Sequence, residues 1–161
     1  MITHLRIDNR LIHGQVAVTW KDRIGADKII VTNDKVAADP LQKMALPLAA
    51  RGSTVLVLSV DECIQYAKDH PDETMFVIAK FPADALRVLE SGVPVETINV
   101  GNAAPIAGTD YKMVTKSIAA TKEDAETYRK IAELNGGKLM SQLTPANESQ
   151  DFLKALDEAG L

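Results

Sequence analysis

The chain has 161 residues, 46% of them apolar and 25% charged, with a net charge of -4 from 18 basic and 22 acidic side chains. That balance buries the core of one ordinary domain and excludes disorder, collagen-like repeats and a disulfide scaffold. The charges are interspersed, which leaves no electrostatic footprint for nucleic acid and no polybasic membrane patch, and the single cysteine, Cys63, fits a reducing compartment.

In chain order, Ile2 to Asp8 reads as a first strand, followed by a helical segment in which Val16, Trp20 and Ile24 recur every four residues. Lys28 to Thr32 is the second strand, and its unbroken Ile29-Ile30-Val31 run is that of a strand covered on both faces. Asp39-Pro40 then supplies an N-cap and a first helical residue. Leu41, Met44, Ala45 and Leu48 form the stripe of a helix buried on one side, which Pro47 ends or kinks and Gly52 closes. Thr54 to Leu58 is the third strand, and Ser59 with Glu62 makes a capping-box pattern ahead of a helix carrying Val60, Ile64 and Ala67. Met75 to Ala79 and Thr97 to Val100 are the fourth and fifth strands, with a helix stopping at Gly92 between them. Gly101 to Asp110 has no clear period and reads as a surface loop leading into an edge region. Met113 to Ile118 and Lys138 to Leu143 complete the strands, separated by a helix from Thr121 to the Gly136-Gly137 pair, and Ser149 to Ala159 closes the chain as an amphipathic terminal helix.

This alternation predicts the α/β class: a single three-layer α/β/α domain over residues 1–161, with a mainly parallel central sheet of about seven strands. No apolar run approaches the roughly 20 residues of a membrane span. The N-terminus lacks the basic-then-apolar pattern of a signal peptide, so the expectation is a cytoplasmic chain.

Ligands of open α/β sheets collect beyond the carboxyl ends of the strands. The first strand there runs into Arg6-Ile7-Asp8-Asn9-Arg10-Leu11-Ile12-His13-Gly14-Gln15-Val16. His13 falls at a helix start beside the amides of Gly14, Gln15 and Val16, an electropositive end suited to phosphate. Imidazole is nucleophilic at neutral pH and carries a phosphoryl group as a labile phosphoramidate when cations offset the charge. Arg10 is the local cation for that role and Asp8 an acceptor for the imidazole N–H. On these residues alone, a surface or capping histidine is the alternative. His4 and His70 read as structural or solvated, and Cys63 as an inert helical thiol. No phosphate loop, dinucleotide fingerprint, nucleophile elbow or metal-spaced histidine pair is present.

The segment from Arg6 to Val16, with Trp20 after it, closely resembles the active-site signature of the IIB subunit of the mannose/fructose/sorbose family of the bacterial sugar phosphotransferase system. Thr32-Asn33-Asp34, the stretch from Asp84 to Pro94, and Ile98-Asn99-Val100-Gly101 extend the similarity over essentially the whole chain. The resemblance implies a mainly parallel sheet between helices. It further implies that His13 accepts a phosphoryl group at Nδ1 from a phosphohistidine of a IIA protein or domain, and passes it to a sugar held by the membrane subunits IIC and IID. Arg10 would contact the phosphoryl group, and no ATP, metal or other cofactor would take part. The chain starts at its first strand, so a separate IIA partner is expected, with peripheral attachment to the inner membrane face through partner subunits. Homodimer and monomer both suit the composition. Asn9 stands where the family often has an acid, and Asn102-Ala103-Ala104 where many relatives carry another glycine and a methionine, so that loop inherits no role. Lys80 and Lys116 are candidates for docking an acidic partner face. The competing reading is a non-catalytic anion-binding or regulatory domain of the same fold.

Overall fold

A computed structural model describes residues 1–50 and 52–161. In chain order the elements are β1 (Ile2–Asp8), α1 (Val16–Ile24), β2 (Lys28–Thr32), α2 (Asp34–Ala38), α3 (Pro40–Ala49), β3 (Val55–Leu58), α4 (Val60–Asp69), β4 (Met75–Ala79), α5 (Pro82–Glu90), β5 (Val95–Asn102), β6 (Lys112–Met113), β7 (Ala119–Ala120), α6 (Lys122–Leu134), β8 (Met140–Ser141), β9 (Gln150–Asp151) and α7 (Phe152–Glu158). Among the described residues the central sheet has seven strands in the order β3-β2-β4-β1-β5-β8-β9. Every pair is parallel except β8 with β9. This is the expected three-layer α/β architecture.

Period-two alternation sorts the strand residues onto two apolar layers. Leu5, Ile7, Ile30, Val77, Ile98 and Val100 face Val60 and Cys63 of α4, Ala85 and Val88 of α5, Tyr128 and Ile131 of α6 and Phe152 of α7. Ile29, Val31, Val55, Val57, Phe76 and Ile78 face the other way, onto Ala17 and Trp20 of α1 and Val36 of α2. Burial raises the Cys63 thiol to about 12, which makes it the inert residue expected.

The helix starts follow the local chemistry. Ser59 Oγ accepts from the Glu62 N–H at 3.1 Å while Glu62 Oε1 accepts from the Ser59 N–H at 2.9 Å. Thr121 and Asp124 close the same box on α6, and Asp39 Oδ1 accepts from the Leu41 N–H at 3.0 Å. Each cap satisfies an N–H that has no carbonyl inside its helix.

Three expectations are corrected. Met113 to Ile118 is not a strand of the sheet: the N–H groups of Val114 and Thr115 both turn onto the Ile118 carbonyl, and the Ser117 N–H donates to Thr115 Oγ1. Local hydroxyl and backbone bonds there outcompete a ladder, leaving one parallel bridge between Ile118 and Ala103 and the separate antiparallel ribbon of β6 and β7. The seventh strand is instead β9, cut from the segment read as a terminal helix. Asp151 caps α7 through Oδ1 to the Lys154 N–H at 3.1 Å, and a cap residue takes extended backbone, which continues the strand. Finally, the stripe of α3 is not buried. Leu41, Met44 and Leu48 are 73%, 69% and 72% exposed, and the helix runs two residues past Pro47. Periodicity marks an apolar face but not whether a neighbour covers it.

Boundaries also moved. β5 runs from Val95 through Asn102, Lys138 to Leu143 contracts to Met140–Ser141, and a short helix, α2, follows Asn33. Among the described residues no helix is long and apolar enough to cross a membrane.

The two apolar environments predict opposite sensitivities. Phe152→Ala, at a fully buried site, should cost about 3–5 kcal/mol. Leu48→Ser, on the uncovered face of α3, should stay within about 0.5 kcal/mol. Urea unfolding followed by circular dichroism measures both.

Candidate active site

Connections leave β1 and β5 in opposite directions across the sheet, β1 toward β2 and β5 toward β8, so a crevice opens between their carboxyl ends. The two strands are paired there, with Asp8 opposite Asn102. On the α1 side of β1 the alternation that places Leu5 and Ile7 in the core presents His4, Arg6 and Asp8 instead. All three are buried, at 6%, 1% and 3% exposure.

A buried polar group needs partners, and each of the three has them. His4 Nε2 lies 3.0 Å from Asn99 Oδ1 on β5, with the ring edge-on to Phe76 and beside Trp20. Burial holds this imidazole below its ordinary value of 6.5, against the hydrogen bond to Asn99. Arg6 donates from Nη1 to the Gln142 carbonyl at 2.8 Å and from Nη2 to the Leu143 carbonyl at 2.6 Å. Its Nε sits 3.5 Å from Asp8 Oδ2 and its Cζ 5.0 Å from the centre of the Trp20 ring, whose Nε1 also donates to Leu143. Desolvation lowers the Arg6 guanidinium to about 10, with Asp8 opposing the shift. Gly101 of β5 leaves the space the guanidinium occupies, since a Cβ there would overlap it.

Asp8 gathers the next residues. Its Oδ1 accepts from the Arg10 backbone N–H at 3.0 Å and from Arg10 Nε at 3.2 Å, and its Oδ2 accepts from Arg10 Nη2 at 3.1 Å. The Leu11 N–H returns to the Asp8 carbonyl, and Leu11 adopts φ 63°, left-handed backbone that costs a non-glycine residue about 1–2 kcal/mol. Burial of the Leu11 and Ile12 side chains holds that turn.

His13 then stands exposed at the rim. Its carbonyl accepts from the Val16 N–H at 3.2 Å, while Gln15 accepts from the N–H and hydroxyl of Thr19. The Val16 amide is thus engaged, whereas the N–H groups of Gly14 and Gln15 meet no acceptor among the described residues. Asp8 makes no hydrogen bond to the His13 imidazole; its oxygens face Arg10 and Arg6.

Asn9 clamps the neighbouring loop, donating to the Ala104 carbonyl at 3.0 Å and accepting from its N–H at 2.9 Å. With its amide donating to the Ser117 carbonyl at 3.0 Å, Asn102 accepts from Arg10 Nε at 3.2 Å. The loop after β2 is structural: Asn33 caps α2 and donates to Asp84, while Asp34 accepts from the Val60 N–H and from Arg87. Lys80 lies against the Phe81 ring. Lys116 lines a cleft of about 500 Å³ together with Gly101, Gln142 and Asn147. Arg6 lies within the signature segment and Trp20 just after it; the period-two pattern His4, Arg6, Asp8 is the sequence signal that all three share one buried face.

Residues 2–161 match the family described as PTS system sorbose subfamily IIB component. The chain is 33% identical over 160 residues to the sorbose-specific EIIB component of Klebsiella pneumoniae, covering 98% of this chain and 96% of that one. It is 34% identical to the mannose-specific EIIAB component of Escherichia coli, covering 95% of this chain but 48% of the longer relative. The crystal structure of the IIBSor domain of the Klebsiella pneumoniae sorbose permease superposes with a TM-score of 0.89 at 33% identity, covering 98% and 97% of the two chains.

Two outcomes follow for the buried row. Asp8→Asn leaves the Arg6 charge uncompensated and should destabilise by about 3–5 kcal/mol, read by urea unfolding. His4 takes up a proton less readily when folded than when unfolded. Its contribution to stability is therefore complete above about pH 6.5 and is lost as pH falls below that value. The slope of stability against pH in this window should flatten in His4→Asn.

Proposed function

We propose that this chain, which belongs to the sorbose subfamily of IIB components of the bacterial phosphotransferase system and shares their phosphocarrier function, carries the phosphoryl group on His13. The observation that supports this most directly is the order of groups at the carboxyl end of β1. Arg10 is held by Asp8 and partly open to solvent, and an exposed histidine follows with the unengaged amides of Gly14 and Gln15 after it.

In this reading a phosphohistidine of a IIA protein or domain presents phosphorus in line with the His13 ring nitrogen Nδ1. The new N–P bond forms as the donor's N–P bond breaks. In the second step a sugar hydroxyl attacks, the His13 N–P bond breaks, and the hydroxyl proton leaves to solvent or a base of the sugar-bearing partner. Both steps depend on alignment and on charge held against the phosphoryl oxygens, rather than on covalent help from the protein. Arg10 offers its outer N–H groups as a fork for two oxygens. Gly14 and Gln15 add backbone donors at the start of α1. These groups bind an anion without a bond that must later be broken. Asp8 contributes by orienting Arg10.

The chain acts as one domain, residues 1–161. A IIA partner, to which the name of the mannose-specific EIIAB relative points, is the phosphoryl donor, and IIC and IID membrane subunits present the sugar. The chain works in the cytoplasm and meets the inner membrane face through those subunits.

Incubation with phosphoenolpyruvate, the general phosphotransferase proteins and a matched IIA should add one acid-labile, base-stable phosphate, detected by intact mass. His13→Ala should take none while keeping its circular dichroism spectrum, because an exposed loop imidazole carries little packing. Arg10→Ala should slow transfer by about 10² to 10³. A wild-type chain that stays unphosphorylated beside a charged IIA favours the non-catalytic anion-binding domain instead.

A further inference from the structure

We infer that Arg6 is a positioning residue for phosphoryl transfer, fixing Arg10 through the Asp8 carboxylate that the two guanidiniums share. The inference rests on the carrier role of His13 and Arg10 proposed above.

A side chain as long as arginine is fixed by a carboxylate only if the carboxylate is itself immobile. Asp8 is buried, and both its oxygens are taken by Arg10 while Oδ2 also faces Arg6 Nε. Arg6 is the rigid end of that row. Two carbonyls of the segment after β8 hold its terminal nitrogens, Trp20 covers its guanidinium, and the bare backbone of Gly101 lies against it. The two carbonyls, the indole ring and the Gly101 backbone together hold the Arg6 guanidinium, which is 1% exposed. Arg10, gripped by Asp8 through Nε and Nη2, keeps Nη1 and the second Nη2 hydrogen for a ligand.

Charge points the same way. Arg6, Asp8 and Arg10 together carry one net positive charge. Without Arg6, the carboxylate would cancel Arg10, and no net charge would face an incoming phosphoryl dianion. Gly101 gives an independent handle on the row, since any side chain there intrudes on the Arg6 guanidinium without removing any charged residue from the chain.

The test compares Gly101→Ala and Arg6→Lys with wild type and with Phe152→Ala, which weakens the apolar layer on the other face of the sheet. All are assayed at a temperature where circular dichroism shows them folded. Readouts are the rate of phosphate acceptance from phospho-IIA and the ¹H–¹⁵N resonance of Arg10 Nε–H, whose slow solvent exchange reports its bonds to Asp8 and Asn102. Gly101→Ala and Arg6→Lys should transfer about 10²-fold more slowly and lose that resonance, whereas Phe152→Ala should change neither. A folded Gly101→Ala that transfers at the wild-type rate, or keeps the resonance unchanged, overturns the inference. Should both site variants fail to fold, wild type decides: an Arg10 Nε–H exchanging as fast as free arginine also overturns it. His13→Ala, run alongside, separates the two proposals. Phosphate that depends on His13 but not on Arg6 or Gly101 leaves the carrier standing and removes the positioning role, while wild type that takes no phosphate removes both.

Discussion

A carboxylate taken out of water loses several kcal/mol of hydration unless cations and N–H donors replace it. At the end of the central strand Asp8 receives both: two guanidiniums and a backbone amide. The surrounding construction follows from that requirement. Arg6 must be buried to reach Asp8, so the Gln142 and Leu143 carbonyls and the Trp20 ring close over it. Gly101 must lack a side chain to admit it. The β8–β9 edge, whose ladder is only two residues deep, is thereby tied to the middle of the sheet.

One strand thus serves two ends. Its odd-numbered residues Leu5 and Ile7 belong to the apolar layer under α4 to α7. Its even-numbered residues His4, Arg6 and Asp8 form a polar row under α1, where dispersion contacts give way to directed bonds. The two faces fail differently under substitution, one through cavities and the other through stranded charge. The rim beyond Asp8 has a third character. Leu11 and Ile12 anchor a left-handed turn, after which the chain is free to present His13.

Much of this was legible in residue order. Unbroken runs such as Ile29-Ile30-Val31 announced strands covered on both faces, and the Ser59, Thr121 and Asp39 caps fell where their side chains dictate. The segment from Arg6 to Val16 marked the site region. What stayed hidden depends on partners distant in sequence. Nothing near Asp8 says that its oxygens turn to Arg10 rather than to His13, and nothing near Arg6 says that carbonyls more than a hundred residues away receive its nitrogens. The α3 stripe misled for the same reason: Leu41, Met44 and Leu48 repeat as buried residues do, but cover is a property of the neighbour. Met113 to Ile118 misled through competition, because Thr115 and Ser117 offer the backbone a turn that a strand pattern conceals.

The exposed setting of His13 has a thermodynamic consequence. A side chain exposed at the rim can be charged and discharged without remaking the core, so little of the free energy of an N–P bond placed there would be diverted into refolding. The transfer potential received from the donor would reach the acceptor almost undiminished, with the rigid row behind Asp8 acting as a passive mount and not as a spring.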